Sequence, residues 1–232
     1  IVMSLLLIIL SPLCFFTFKW LQTYYLKYSV CNPILLSITF IGIVLIWLDI
    51  DYQKFAEINT PFFWLLDLAI VALAIPLYKE SRTIKKDTWR YILCSAIGVA
   101  CSSVIAMITA RSLGASEQLV VSLAANAVTT PIAIEVTEQL AGISALSAVV
   151  VICVGIFGAV LGIPLLKLFG ITQQQSQGLA LGSACHAVGT ARAIEVNERM
   201  GAFASVSLVL SAILTPLMLP VIYTVFDVIF ST

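Results

Sequence analysis

The chain has 232 residues, 61% of them hydrophobic and only 10% charged, with a mean hydropathy of +1.09. A soluble domain is about 45–50% apolar and about 25% charged, so a soluble enzyme, a disordered chain and a nucleic-acid binder are excluded. Twelve Lys plus Arg balance twelve Asp plus Glu, and no global field attracts a polyanion.

A polytopic membrane protein remains. A helical span needs about 20 apolar residues. Apolar runs occupy about Ile1–Phe18, Val30–Leu48, Pro61–Tyr78 and Tyr91–Ala110, then about Ile143–Phe169 and Ala202–Phe226. No alternating strand pattern recurs, so the runs predict six full transmembrane helices. The N-terminus lacks a basic n-region and a small-residue cleavage site, and reads as a span. Cys14, Cys31, Cys94, Cys101, Cys153 and Cys185 lie in apolar stretches with no C-x-x-C pair. They read as small core residues, without a disulfide or metal framework.

The loops set the orientation. Lys19 and Lys27 follow the first run, and Lys79, Arg82, Lys85, Lys86 and Arg90 follow the third. The loop between the second and third runs is acidic, with Asp49, Asp51 and Glu57 against Lys54. Basic loops stay cytoplasmic, which places the N-terminus outside. Trp20, Tyr24, Tyr25, Trp64, Tyr78, Trp89 and Tyr91 sit near the span ends, as an interfacial belt does. Asp67, inside the third run, is read as an outer-end residue beside Trp64.

Two segments, about Glu117–Leu140 and Gln177–Met200, are not plain spans. With a shift of sixty residues, NAVTTPIAIEVTE at 126–138 lies over HAVGTARAIEVNE at 186–198, with eight of thirteen positions identical. The chain therefore reads as an N-terminal four-helix scaffold, 1–110, followed by a duplicated region, 111–232. Its repeats cover about 117–169 and 177–227. Each opens with a discontinuous segment, broken or re-entrant. A re-entrant segment gives each repeat an odd number of crossings and inverts the copies; a spanning one makes them parallel. The inverted arrangement is favoured because it supports alternating access.

The breaks have a chemistry. Thr130-Pro131 reads as an N-cap with Pro at the first helical position, and Thr190 after Gly189 is the matching cap. Half-helices then run about Pro131–Leu140 and Ala191–Met200. Their N-termini carry unpaired N–H groups and the positive end of a helix dipole. Two such ends close together bind an anion or carboxylate.

The candidate solute-binding residues are Arg192, His186, Thr190, Thr130, Thr129 and Asn126. Arg192, just past its cap, is placed near the bilayer centre, where a charge costs about 3 kcal/mol or more without a partner. It is read as a fork for a carboxylate, against a structural pair with Glu195. His186, the single histidine, is read as a donor or proton carrier, against a cap on backbone opened by the break. The three threonines and Asn126 offer caps and solute contacts together. Glu135 and Glu195 are candidate proton or sodium carriers, against helix-surface pairing such as Glu195 with Arg199. Gly158 and Gly162 form a packing G-x-x-x-G. No metal cluster, nucleophile elbow or P-loop is present, so no enzyme, catalytic residue or cofactor is expected.

Three stretches carry a family resemblance: GSACHAVGTARAIE at 182–195, VTTPIAI at 128–134 and VALAIPLY at 71–78. They resemble the LrgB/CidB family along nearly the whole chain. The resemblance implies an antiholin- or holin-like protein of the bacterial inner membrane that modulates murein hydrolase export and lysis. It also implies a small LrgA/CidA-type membrane partner, and, through a plastid relative, glycolate, glycerate, lactate or pyruvate as solute. Leu65-Leu-Asp-Leu-Ala69 departs from the family, where an uncharged residue and a Pro are usual. The leading expectation is a secondary monocarboxylate transporter coupled to protons or sodium. The alternative is a lysis regulator acting through the partner. A homodimer is the commonest oligomer.

Overall fold

The structure is a computed structural model that describes residues 2–24, 33–72, 75, 78 and 81–230. Every regular element among them is helical. Four helices are long and apolar enough to cross a bilayer: Met3–Tyr24, Asp87–Ser112, Ser144–Leu168 and Glu198–Phe230. They coincide with four of the six expected runs. The second run forms a shorter apolar helix, and the third begins one of 13 residues, so six full spans are not established. The end of the third run falls largely outside the described residues, as do Tyr25, Lys27, Cys31 and Lys79, and Asp67 is described only in its backbone.

The chain divides into two compact units, Ile1–Ala72 and Leu73–Thr232. In the first, α1 (Val2–Tyr24) packs along α2 (Pro33–Trp47), with Phe18 edge-on to Phe40 at 6.0 Å. Asp51 caps the short α3 (Tyr52–Ile58) by accepting from Gln53 N. Buried Asn59 donates to Phe55 O at 2.8 Å and separates α3 from α4 (Thr60–Ala72).

The second unit is organised around α5 (Ser81–Ser112) and α11 (Glu198–Phe230), which run parallel. Tyr91 meets Phe203 at 5.5 Å, Ser95 bonds Ser207 at 3.0 Å, and Arg111 donates to Phe230 O at 3.0 Å. The buried rows Tyr91, Ser95, Val99, Ser103, Met107 and Phe203, Ser207, Ser211, Thr215, Leu219 both advance by four residues. That is the i±4 ridge from which helices pack. Tyr91, expected in an aromatic belt, is instead buried, and its hydroxyl accepts from Gln175 Nε2 at 2.6 Å.

Between these helices lie α6 (Glu117–Ala124), α7 (Thr130–Gln139), α8 (Ser144–Phe157), a π-turn at Gly158–Gly162, α9 (Ile163–Leu168) and α10 (Gln174–Val196). The π-turn follows from Pro164, which lacks the N–H that Val160 O would accept, so the ladder shifts register. Three of the five described cysteines, Cys94, Cys101 and Cys153, are exposed on helix surfaces rather than in the core.

Candidate functional site

The site is built from the interruptions in two segments. Helix α6 stops at Ala124, residues 125–129 are not helical, and α7 begins at Thr130. Asn126 Nδ2 donates to Leu123 O at 2.9 Å, competing with the helical ladder. Pro131 disfavours a helical residue before it. The extended N-cap is Thr129 (φ −66°, ψ 148°), one residue earlier than expected, and it makes no side-chain cap bond.

The second interruption differs more. Its break is at Cys185 (φ −125°, ψ 16°) and His186 (φ 41°, ψ −138°). Thr190 is therefore not a cap: its hydroxyl donates to His186 O at 2.8 Å, inside the half-helix that follows the break. That half-helix ends at Asn197, whose side chain accepts from Arg199 N and Met200 N and so starts α11. Met200 and Gly201, expected at the end of the half-helix, belong to α11.

Both segments double back. A methyl group placed on Gly189 would lie 2.8 Å from Leu181 O, although eight residues of straight helix span about 12 Å. In the first segment, Val121, Ser122 and Thr137 all converge on Gly142 within 3.1 Å of such a methyl. Ser122 and Thr137 would be about 22 Å apart along one helix. The anchoring contacts also correspond under the sixty-residue shift to within one residue. Ile143 N donates to Ser122 Oγ at 2.7 Å, and Gly182 lies backbone-to-backbone against Ala204.

Contact order gives the direction of each helix. Gly162 meets Leu181 and Gly158 meets Cys185, so α8 runs against the first half of α10. Gly178 meets Met200 and Gly182 meets Ala204, so α11 runs with that half. Helices α8 and α11 are therefore antiparallel. As expected, the Gly158-x-x-x-Gly162 pair is a packing surface.

The two apices flank one groove beside the middle of α8. Asn126, Ala184 and Cys185 line one groove of about 780 Å³ with Ser102, Cys153 and Gly158. Asn126 Oδ1 accepts from Ser102 Oγ. His186, 3% exposed, bonds Val151 O through Nε2 at 2.7 Å. A side chain at Gly155 would fill the space that the imidazole occupies.

The charged candidates lie elsewhere. Arg192 pairs with Glu195 at 3.2 Å, and both side chains are about half exposed, 44% and 55%. Glu135, exposed, accepts from Gln139 Nε2. Thus Asn126, Thr129, Thr130, His186 and Thr190 cluster at or beside the breaks, while Arg192, Glu195 and Glu135 sit on exposed helix faces. Among the described residues, no group of three or more His, Cys, Asp or Glu is placed to hold a metal. Sequence reasoning missed Ser102, Gly155 and the carbonyl of Val151. Gly155 was accessible in principle, because Gly155, Gly158 and Gly162 share one helical face. Nothing local marked Ser102.

These features define a multi-pass, all-helical membrane protein with two doubled-back segments. The chain belongs to the LrgB-like family, which it matches over residues 11–225. It is 35% identical over 201 residues to an uncharacterized protein of Haemophilus influenzae, covering 85% of each chain. It is 30% identical over 223 residues to the holin-like protein CidB of Staphylococcus epidermidis, covering 96% of this chain and 97% of the relative. It is 34% identical over 188 residues to the antiholin-like protein LrgB of Bacillus mycoides, covering 78% and 81%. No solved structure matches it.

Proposed function

We propose that the chain is a holin- or antiholin-like component of the bacterial cytoplasmic membrane that controls permeation and thereby lysis. It is not an enzyme. It acts with a small LrgA/CidA-type membrane partner and influences murein hydrolase export. The observation that carries this reading is near full-length similarity to relatives named for holin-like and antiholin-like behaviour. The apolar groove at the helix breaks supports it, because its lining offers no charged side chain. The test is expression in bacterial cells with and without the small partner, following potassium leak and autolysis together. A change in both that requires the chain is expected; no change in either overturns the reading.

A second reading is favoured by the paired breaks. Regulation through a partner does not require two half-helix N-termini at corresponding positions. In this reading the two repeats are inverted, the hairpins are re-entrant, and a small monocarboxylate of the glycolate or pyruvate class binds near the apices. Asn126, Thr129, Thr130, His186 and Thr190 make its polar contacts. Arg192, farther along the half-helix, first captures the carboxylate in exchange for Glu195, an exchange eased by the small net worth of an exposed ion pair, about 0–1 kcal/mol. Glu195 and Glu135 then carry the coupling proton or sodium. Uptake of labelled glycolate and pyruvate into liposomes, lost in Arg192→Lys, is the expected result. Absence of uptake under proton and sodium gradients removes this reading and leaves the first.

A further inference from the structure

The hairpin 174–196 is held very differently at its two ends. Along its first arm, Gly178 near the base and Gly182, three residues before the break, lie against the backbone of Met200 and Ala204, where any Cβ would come within 2.3 Å of a carbonyl oxygen. Buried Gln177 donates to Ile171 O at 2.8 Å, and Gln175 donates to Tyr91. Asn197 then fixes the start of α11. The base is therefore packed backbone to backbone and pinned by hydrogen bonds.

At the apex the backbone is strained, and its seat rests on a few close contacts: Cys185 on Gly158, and His186 with Val188 on Gly155. His186, at φ 41° and ψ −138°, lies outside the regions open to ordinary L-residues. Such a conformation persists only where the surroundings hold it. What holds it is the imidazole on Val151 O, with the Thr190 hydroxyl donating to His186 O and Cys185 seated on Gly158. The facing surface of α8 is glycine at 155 and 158, so no α8 side chain at those positions interlocks with the apex. Beside it lies the groove, open space bounded by Ala184, Cys185, Cys153 and Phe157. Position 186 is also the counterpart of Asn126, which ties the other apex to Ser102 of α5.

We propose that the tip of hairpin 174–196, beyond Gly182, is a gate, and that His186 is the latch that holds it on α8. When the bond to Val151 O breaks, the strained tip relaxes and swings into the groove. The proposal deepens the reading of the chain as a permeation component, and His186 acts in it as a positioning residue rather than a solute ligand.

Cys185 reports the latch directly, because its sulfur is packed against Gly158 when the apex is seated. The test uses the full chain in lipid nanodiscs with Cys14, Cys31, Cys94, Cys101 and Cys153 replaced by Ala, and follows alkylation of Cys185 by N-ethylmaleimide. His186→Asn removes the ring's reach while tolerating positive φ. Gly155→Ala displaces the ring from the other side by meeting its far edge at 2.5 Å. Each is expected to speed alkylation at least tenfold, with Gly42→Ala, which meets nothing, as the unchanged control. Unchanged rates in both variants, with parental gel-filtration behaviour, overturn the proposal. Hydrogen exchange on the unsubstituted chain needs no variant. Amides of residues 186–190 are expected to exchange at least tenfold faster than those of 178–182, and equal protection overturns the latch. Neither readout involves a solute or leak, so failure of the permeation reading is seen separately.

Discussion

Gly182→Ala tests the packing that fixes the first arm of hairpin 174–196. A Cβ at residue 182 would lie 2.1 Å from Ala204 O and 2.9 Å from its carbonyl carbon and Cα. All three are backbone atoms of α11, so no rotamer change relieves the clash. Restoring ordinary contact, about 3.5 Å between heavy atoms, requires α10 and α11 to separate by more than an ångström. A gap of about 0.5–1 Å already forfeits a quarter to a half of each contact's attraction, and this one forfeits more wherever the helices cannot bend around it. Overpacking of this kind costs about 1–3 kcal/mol, and replacing Gly in a helix returns about 1 kcal/mol. With the clash at its most rigid, the net expectation is a loss of about 2 kcal/mol. Gly98→Ala in the same unit is the control. Its Cβ meets only the Ser183 side chain, at 3.1 Å, so the helix-propensity gain leaves stability level or slightly raised. Far-ultraviolet circular dichroism during denaturation in mixed micelles measures both. Equal midpoints for the two variants would refute the backbone contact between α10 and α11.

Other consequences are equally specific. Among the described residues, Ser211 Oγ and Thr215 Oγ1 are buried without a hydrogen-bond partner, unlike Ser205 and Thr224, which bond carbonyls of their own helix. Ser211→Ala and Thr215→Val are therefore expected to stabilise the protein by about 1 kcal/mol each, and destabilisation in the same denaturation assay would show that a bound group satisfies them. Asn197→Ala removes the cap of α11 and should cost about 1 kcal/mol, read as a lower melting temperature; an unchanged value would contradict the capping geometry. Tyr223→Phe deletes the 2.6 Å bond to Glu117 and is expected to cost about 1 kcal/mol, with no loss if the two groups do not meet in the bilayer.

Much of this arrangement was written locally. Four of the apolar runs became membrane-length helices because length and hydropathy alone decide them. The sixty-residue repeat is read from eight identities in thirteen positions, and Pro131 marked the first break to within a residue. The second break was misplaced by about four residues because Gly189-Thr190 looks like a cap. Glycine there serves close approach to Leu181 and Cys185 instead. The turn occurs at His186, a residue whose positive φ depends on a partner 35 positions away. Arg192 was expected at the bilayer centre because the break was counted from Thr190. Counted from His186, it falls farther along the half-helix, where Glu195 meets it. Ser102 entered the site only through the packing of α5, which leaves no mark in the sequence.

The claim that both segments double back, with the copies inverted, is tested most directly by the sidedness of their ends. Single cysteines at Gln118, Gln139, Gln174 and Asn197, in a chain without native thiols, are labelled with a membrane-impermeant maleimide in right-side-out and inside-out vesicles. Gln118 and Gln139 are predicted to react from the outer face, and Gln174 and Asn197 from the cytoplasmic face. Labelling of Gln118 and Gln139 from opposite faces, or of Gln174 and Asn197 from opposite faces, would mean that the segment crosses the membrane, and would contradict the account.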